Sequence, residues 1–307
     1  MSRYLDPKAD VVFKKIFAEH PHLLISFLNA VLPLTPEQHI LTVEYLPSEL
    51  VPRIPGFKST IVDVRCTDKQ GRLFIVEMQI QWTTGFMQRM LFNASKAYIK
   101  QLNAGEEYHL LKPVYGLALL ASEFDPNPND WYHHYKIVNV QKPAAEIKDL
   151  QLIFVELPKF KTKNYNQKKL QILWLRFMSE LDQTTTAVAS ELLAVPEIKE
   201  AVSITEQAAY SPAELDAYDR FWDAVSTEKT LKAGAYAEGK AEGKAEGKAE
   251  GKAEGKAEGK AEGKAEGEQI GIEKIALNML RDNEPLAKIS QFTGLSQDNI
   301  AKLKNKL

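Results

Sequence analysis

Apolar and polar residues alternate most regularly over Ile61–Gln81, which reads IVDVRC-TDKQGR-LFIVEMQIQ. β-Branched and aromatic residues flank the Asp68–Lys69–Gln70–Gly71 turn signal, so the stretch predicts two antiparallel strands. Val62, Val64 and Cys66 share one face of the first strand, and Phe74, Val76, Met78 and Ile80 one face of the second. Asp63, Arg65, Glu77, Gln79 and Gln81 occupy the other. A slip of one residue would exchange these faces, so the pattern also sets the register. A five-residue loop, Asp68–Arg72, places Thr67 opposite Leu73, Val64 opposite Val76 and Asp63 opposite Glu77. The two carboxylates then stand about 4.5–5.5 Å apart at Cβ.

Helical spacing organises the flanks. Val12, Phe13, Ile16 and Phe17 recur as in a helix begun at Asp6-Pro7, where Asp caps and Pro takes the first helical position. His20-Pro21 interrupts, and Leu23–Leu32 forms a second helix ended by Pro33. Ile40–Leu46 reads as a strand, followed by a proline-rich loop with Pro47, Pro52 and Pro55. Phe86–Leu102 predicts a helix with Met90, Leu91, Ala94, Ala97 and Tyr98 inward and Arg89, Lys96 and Lys100 on a basic side. Val114–Ala121 is a continuous apolar run expected of a strand buried on both faces. Trp131–Val140 and Leu150–Leu157 predict further strands. His133 and His134 point to opposite faces of theirs, which argues against joint metal ligation; Trp131, Trp174 and Trp222 read as core or interface aromatics. The first 160 residues are therefore an α/β core. Residues 161–235 form a helical extension, its stretch 166–233 marked by Leu170, Leu173, Trp174 and Phe177 and later by Leu215, Tyr218, Phe221, Trp222 and Val225.

Lys-Ala-Glu-Gly then repeats seven times from Lys240 to Gly267, after one imperfect copy at Tyr236–Gly239. Each glycine costs a helix roughly 1 kcal/mol relative to alanine. The four-residue period also stacks like charges at i,i+4, unfavourable by roughly 0.2–0.5 kcal/mol per pair. No apolar face offsets this, so 236–268 is expected to be a linker, disordered or transiently helical in solution. Beyond it, 269–307 forms a small helical module. Ile272, Ile275, Ala276, Met279 and Leu280 mark one helix and Pro285–Phe292 a second. A turn at Thr293-Gly294-Leu295 and a Ser296 cap open a third helix carrying Ile300 and Leu303. The pair resembles a helix-turn-helix, with Gln297, Asn299, Lys302, Lys304 and Lys306 able to meet DNA. Oligomerisation or self-docking is the other reading of this module.

Composition narrows the class. The 307 residues are 44% hydrophobic and 26% charged, ordinary for a globular protein, and the net charge of −2 gives no global basic signal for nucleic acid. The single cysteine, Cys66, falls on an apolar strand face and reads as a buried reduced thiol, which fits a reducing compartment. The opening MSRYLDPKAD lacks the apolar core of a signal peptide, and no apolar run approaches the length of a membrane span. A cytoplasmic protein without a membrane partner is the expectation.

Two adjacent carboxylates repel, so a shared proton, a cation or a metal must offset them. Mg²⁺ suits such a pair, since it takes one or two carboxylates and keeps sites for water and phosphate oxygens. A solvated polar face with Arg65 paired to Glu77 is the alternative.

Asp63, a turn and Glu77-Met78-Gln79 resemble the PD-(D/E)XK nuclease core, with glutamine where that pattern carries lysine. Asp10-x-x-Phe13-Lys14-x-x-Phe17, Arg89–Tyr98 and GEEYHLLKPVYGLALL at Gly105–Leu120 resemble the Rpn family of recombination-promoting nucleases, also called PD-(D/E)XK family transposases. The resemblance covers roughly residues 4–160 well and the C-terminal end more loosely. It implies a restriction-endonuclease-like mixed sheet flanked by helices and a Mg²⁺-dependent DNA endonuclease. Asp63 and Glu77 would hold the ion, with the Met78 carbonyl, and Gln79 would orient a water. Lys14 or Lys96 would supply the positive charge that glutamine lacks, and Asp10 would support the site. Lys15, Arg89 and Lys302 are candidate DNA contacts. DNA is the implied partner, and a homo-oligomer would place two sites on two strands. An inactive binding or regulatory module, or a strand-transferring transposase, are the alternative functions.

Overall fold

The computed structural model describes residues 4–50, 60–161 and 169–305. Pro52 and Pro55 of the expected loop, Lys306, and residues 166–168 of the expected helical stretch lie outside them. The chain divides into two compact units, Met1–Thr227 and Glu228–Leu307.

In the first unit, α1 (Asp10–Phe17) and α2 (Pro21–Val31) form where the apolar spacing placed them, burying Val12, Phe13, Ile16 and Phe17 from α1 and Leu23, Leu24, Phe27, Leu28 and Val31 from α2. Pro21 takes the start of α2. The first helix begins later than the Asp6-Pro7 start. Asp6 instead closes a turn, its Oδ1 accepting the Lys8 N–H at 2.9 Å and pairing with the Lys8 ammonium at 2.8 Å.

Strands β1 (Val43–Tyr45), β2 (Glu49–Leu50), β3 (Thr60–Ile61), β4 (Val64–Asp68) and β5 (Leu73–Gln79) precede helix α3 (Phe86–Ile99). Then come β6 (Val114–Leu120), β7 (Tyr132–Asn139) and β8 (Lys142–Glu156). Six strands form one sheet in the order β1-β4-β5-β6-β8-β7, with β5, β6 and β8 parallel and the other pairs antiparallel. Central β6 is buried at every position, as its apolar run implied. One face carries Val64, Cys66, Phe74, Val76, Leu117, Leu119, Ile153 and Val155 into a core shared with α1, α2 and α4 (Lys169–Glu180). The other packs Leu73, Ile75, Val114, Ala118 and Phe154 in smaller clusters with Phe86, Met90, Ala94 and Ala97 of α3. Short α5 (Ser190–Leu193), α6 (Pro196–Ile204) and the first residues of α7 (Pro212–Arg281) complete the unit, with Tyr218 of α7 buried in the main core.

The β4–β5 register is the one the alternation required: Val64 faces Val76 and Thr67 faces Leu73, with Gly71 at φ +78° in the turn. The first strand is not continuous, however. Residues 60–61 pair with β2 and the ladder with β5 starts at Val64, so Asp63 sits at the break between two strands. The face expected to be polar is also covered. Leu73 and Ile75 share it with Glu77, and α3 lies over it.

Helix α3 presents Phe86, Met90, Asn93, Ala94 and Ala97 to the sheet, while Leu91, expected inward, is 47% exposed because it lies off that stripe. Strand β8 begins eight residues before Leu150, pairing back along β7 to Asn139 across a tight turn; its charged first half hid it from periodicity. His133 and His134 do diverge, bonding Glu156 at 2.7 Å and Gln151 at 2.8 Å. Trp174 is a core residue, fully buried.

In the second unit the end of α7 packs with α8 (Leu286–Thr293) and α9 (Gln297–Lys304) around Ala276, Leu280, Ile289, Ile300 and Leu303. Gly294 closes α8 in the left-handed region at φ +70°, and the Ser296 hydroxyl accepts the Asn299 N–H at 3.3 Å. Ile275 was expected on the apolar face and is 54% exposed. The repeat, expected as an unstructured or transient spacer, is helical here within α7, with every residue from Tyr236 to Gly267 exposed. Its one break of period, Glu268, brings Lys264 within 3.8 Å of a carboxylate at i,i+4.

Candidate active site

Glu77 enters from β5, two residues before the strand ends, and is only 4% exposed. An ionised carboxylate there requires partners, and α3 supplies them. Asn93 Nδ2 donates to Oε1 at 2.8 Å and Arg89 Nη2 donates to Oε2 at 3.2 Å. Burial pushes the Glu77 carboxyl above its ordinary range, opposed by the charge of Arg89 and the bonds from Asn93 and Arg89.

Asp63 arrives at the strand break, where its Oδ2 accepts the Met78 N–H at 2.7 Å. Burial is the main reason its pKa is pushed up to about 6; the charges of Glu77 and Asp10 add to the rise, while the Met78 bond and Lys14 oppose it. The hairpin register thus brings together the two carboxylates read from the alternation, next to Asp10 and Lys14 of α1. Lys14 pairs with Asp10 at 2.8 Å. It also lines an open cleft of about 340 Å³ with Tyr45, Ser48, Asp63 and Arg65. Arg65 does not pair with Glu77; its Nη1 donates to the Pro47 carbonyl at 3.3 Å.

Gln79 ends β5 with its amide engaged at both ends. Oε1 accepts from Arg89 Nη2 at 2.5 Å, and Nε2 donates to the Gln81 carbonyl at 2.6 Å. Arg89, read as a DNA contact, therefore belongs to the carboxylate cluster itself, held by both Glu77 and Gln79 with its guanidinium 4.7 Å over the Phe86 ring.

The other predicted cations stand elsewhere. Lys15 donates to Glu214 and the Ala209 carbonyl, both at 2.8 Å, and lies over the Tyr210 ring, where it ties α1 to the start of α7. Lys96 is 8% exposed, with its ammonium over Phe92. It lies seven residues beyond Arg89, about 10 Å further along the helix axis. Lys302 is exposed on α9.

Asn93 was not read from the sequence. Its signal is a polar residue on the apolar stripe 86–90–93–97, fully buried, and an amide in such a place requires a hydrogen-bonding reason. The spacing of Arg89 and Asn93, four residues apart, sets both on one side of α3, facing the strand end.

No set of three or more His, Cys, Asp or Glu side chains among the described residues is arranged to hold a metal. A buried Glu77 and a half-buried Asp63 that lines an open cleft nonetheless fit a hard divalent cation that retains several waters and phosphate oxygens as ligands. A zinc-like closed site of four protein ligands would not fit.

A mixed sheet with helices on both faces, bearing Glu77 near the end of β5 and Asp63 at the strand break beside it, defines a nuclease-like α/β protein. The chain belongs to the PD-(D/E)XK nuclease family transposases, whose family model matches residues 7–233. Neither the curated proteins nor the solved structures contain a match. Nucleases of this class generally use divalent cations and act on DNA. No described helix is long and apolar enough to cross a membrane.

Proposed function

We propose that this chain is a Mg²⁺-dependent DNA endonuclease of the Rpn type, hydrolysing phosphodiester bonds and so promoting recombination. The observation that carries the reading is the pair Asp63 and Glu77, a half-buried and a buried carboxylate whose pKa values are both raised, with Asp63 lining a cleft together with Lys14. Such a pair is poorly stabilised without a cation.

Asp63 and Glu77 would hold the ion, and Asn93 and the Met78 N–H keep the two carboxylates oriented. When bound, the cation supplies an activated water and neutralises charge on the scissile phosphate. Lys14, on the cleft wall, meets a phosphate of the DNA backbone, and Asp10 keeps Lys14 in place. Hydrolysis adds the water oxygen to phosphorus and releases one sugar hydroxyl, leaving a phosphate monoester. Residues 236–268 act as a spacer between this catalytic region and the module at 269–307.

Plasmid nicking by wild-type protein, Asp63→Ala and Glu77→Ala, each with Mg²⁺ or EDTA, tests the proposal. Cutting confined to wild type with Mg²⁺ supports it. Equal cutting in all three proteins, or cutting that survives EDTA, sinks it. The family's character as transposases favours a second reading in which a DNA 3′-hydroxyl replaces water as nucleophile. Joined products from a labelled 3′ end would separate strand transfer from hydrolysis.

A further inference from the structure

The geometry points to Arg89 as the residue that supplies, from helix α3, the catalytic positive charge missing from the strand, with Gln79 as its positioning residue. The inference rests on the nuclease reading above and deepens it.

Glutamine at position 79 is neutral, so the strand itself brings no cation to the carboxylate pair. Arg89 does. Its Nη2 bridges Gln79 Oε1 at 2.5 Å and Glu77 Oε2 at 3.2 Å, which sets the guanidinium where a side chain from position 79 would otherwise deliver charge. Gln79 is held in the orientation this requires, because its Nε2 is given to the Gln81 carbonyl and the amide oxygen turns toward the arginine. A lysine at 79 would repel Arg89, whereas a glutamine accepts from it.

Arg89 also keeps capacity for a ligand. Both bonds leave from one terminal nitrogen, and the side chain is 44% exposed. Nη1 and Nε are without a partner among the described residues; lying in the guanidinium plane but pointing to different sides, each offers its own N–H to a phosphate oxygen. The Phe86 ring, 4.7 Å from the guanidinium carbon, supports that plane. An arginine serving only to neutralise Glu77 would have no need of a second partner on position 79 or of open donors.

Glu77 does not depend on Arg89 for its orientation, because Asn93 holds its other oxygen at 2.8 Å from a fully buried position. Removing Arg89 therefore removes charge from the scissile phosphate while leaving the carboxylate in place. This separates the catalytic role from a structural one. An arginine that only organised Glu77 would, on removal, weaken cation binding and cutting together.

The test combines single-turnover cleavage of a labelled duplex with calorimetric titration of Mg²⁺ alone, on wild type, Glu77→Ala, Arg89→Ala, Arg89→Lys and the double variant Gln79→Lys/Arg89→Ala. Arg89→Ala should lower the cleavage rate by about 10²–10³-fold, the loss typical of one transition-state donor. Its Mg²⁺ affinity should equal or exceed that of wild type, since a competing cation on Glu77 is gone, while Glu77→Ala loses both. Arg89→Lys should recover part of the rate. Gln79→Lys/Arg89→Ala should recover at least about tenfold over Arg89→Ala, the charge having returned to the strand. Loss of Mg²⁺ binding in Arg89→Ala in step with its rate would overturn the inference, as would a double variant no faster than Arg89→Ala. Either result leaves the nuclease reading intact as long as wild type cuts and Glu77→Ala does not. A wild-type protein that never cuts overturns both.

Discussion

A Cβ on Gly116 would meet Leu152 Cδ2 at 2.9 Å and Met90 Cε at 3.3 Å, whereas one on Gly251 would meet nothing within 4 Å. The first glycine lies in the central strand β6, where α3 crosses it closely enough to bring Arg89 and Asn93 onto Glu77. The second lies in the repeat, where every helical residue is exposed. In the sheet, glycine is present for lack of volume; in the repeat it only loosens the backbone. Position in the fold, more than residue type, decides what each side chain is worth here.

That contrast can be tested with matched substitutions. The largest effect belongs to the core. Phe74, buried and stacked on Tyr115 at 5.4 Å, should lose about 3–5 kcal/mol of stability on change to Ala. Lys252→Ala in the exposed repeat should stay within about 0.5 kcal/mol. Denaturant unfolding of each variant measures both, and equal losses would abolish the distinction.

The next effect comes from the site and carries a pH signature. Asp63 has a pKa of about 6 in the fold against an ordinary 3.8, so the folded protein binds its proton more tightly than the unfolded chain does. Stability therefore falls as pH rises between those values and stays low above them. Asp63→Asn, which keeps an oxygen for the Met78 N–H, should raise metal-free stability at pH 7.5 by up to about 3 kcal/mol and abolish cutting. The gain should vanish near pH 3.5; a gain independent of pH would exclude carboxylate desolvation as its cause.

Gly116→Ala and Gly251→Ala should then differ in sign. Gly116→Ala is expected to cost about 1–3 kcal/mol by overpacking and to slow cutting by lifting α3 from Glu77. Gly251→Ala should strengthen the local helix by up to about 1 kcal/mol, read as slower amide exchange in the repeat. The smallest effect is expected from deleting two Lys-Ala-Glu-Gly copies, which should leave the melting of the first unit unchanged, since the repeat contributes no buried residue. A shift of several degrees would contradict that.

Much of the candidate site was legible because strand alternation has a period of two. Once Gly71 fixed the turn, Val64 had to face Val76, and Asp63 had to come near Glu77. The break at Asp63 was not legible, since it comes from residues 60–61 pairing with β2. Asn93 and the bonds of Arg89 to Glu77 and Gln79 were also hidden. Both residues lie on a helix whose phase was read from its apolar residues alone, and Leu91 was counted inward in place of Asn93.

By itself the sequence determined the hairpin, its register, the buried central strand, the two opening helices and the family, because each depends on periodicity or turn chemistry carried within a few residues. Tertiary structure decided what those local rules leave open. It covered the supposedly polar face with α3, gave Glu77 its Arg89 and Asn93 partners, and raised the Asp63 pKa by taking the carboxyl out of water. Those are consequences of burial between elements distant in the chain, and burial is a property of the packed molecule rather than of any segment.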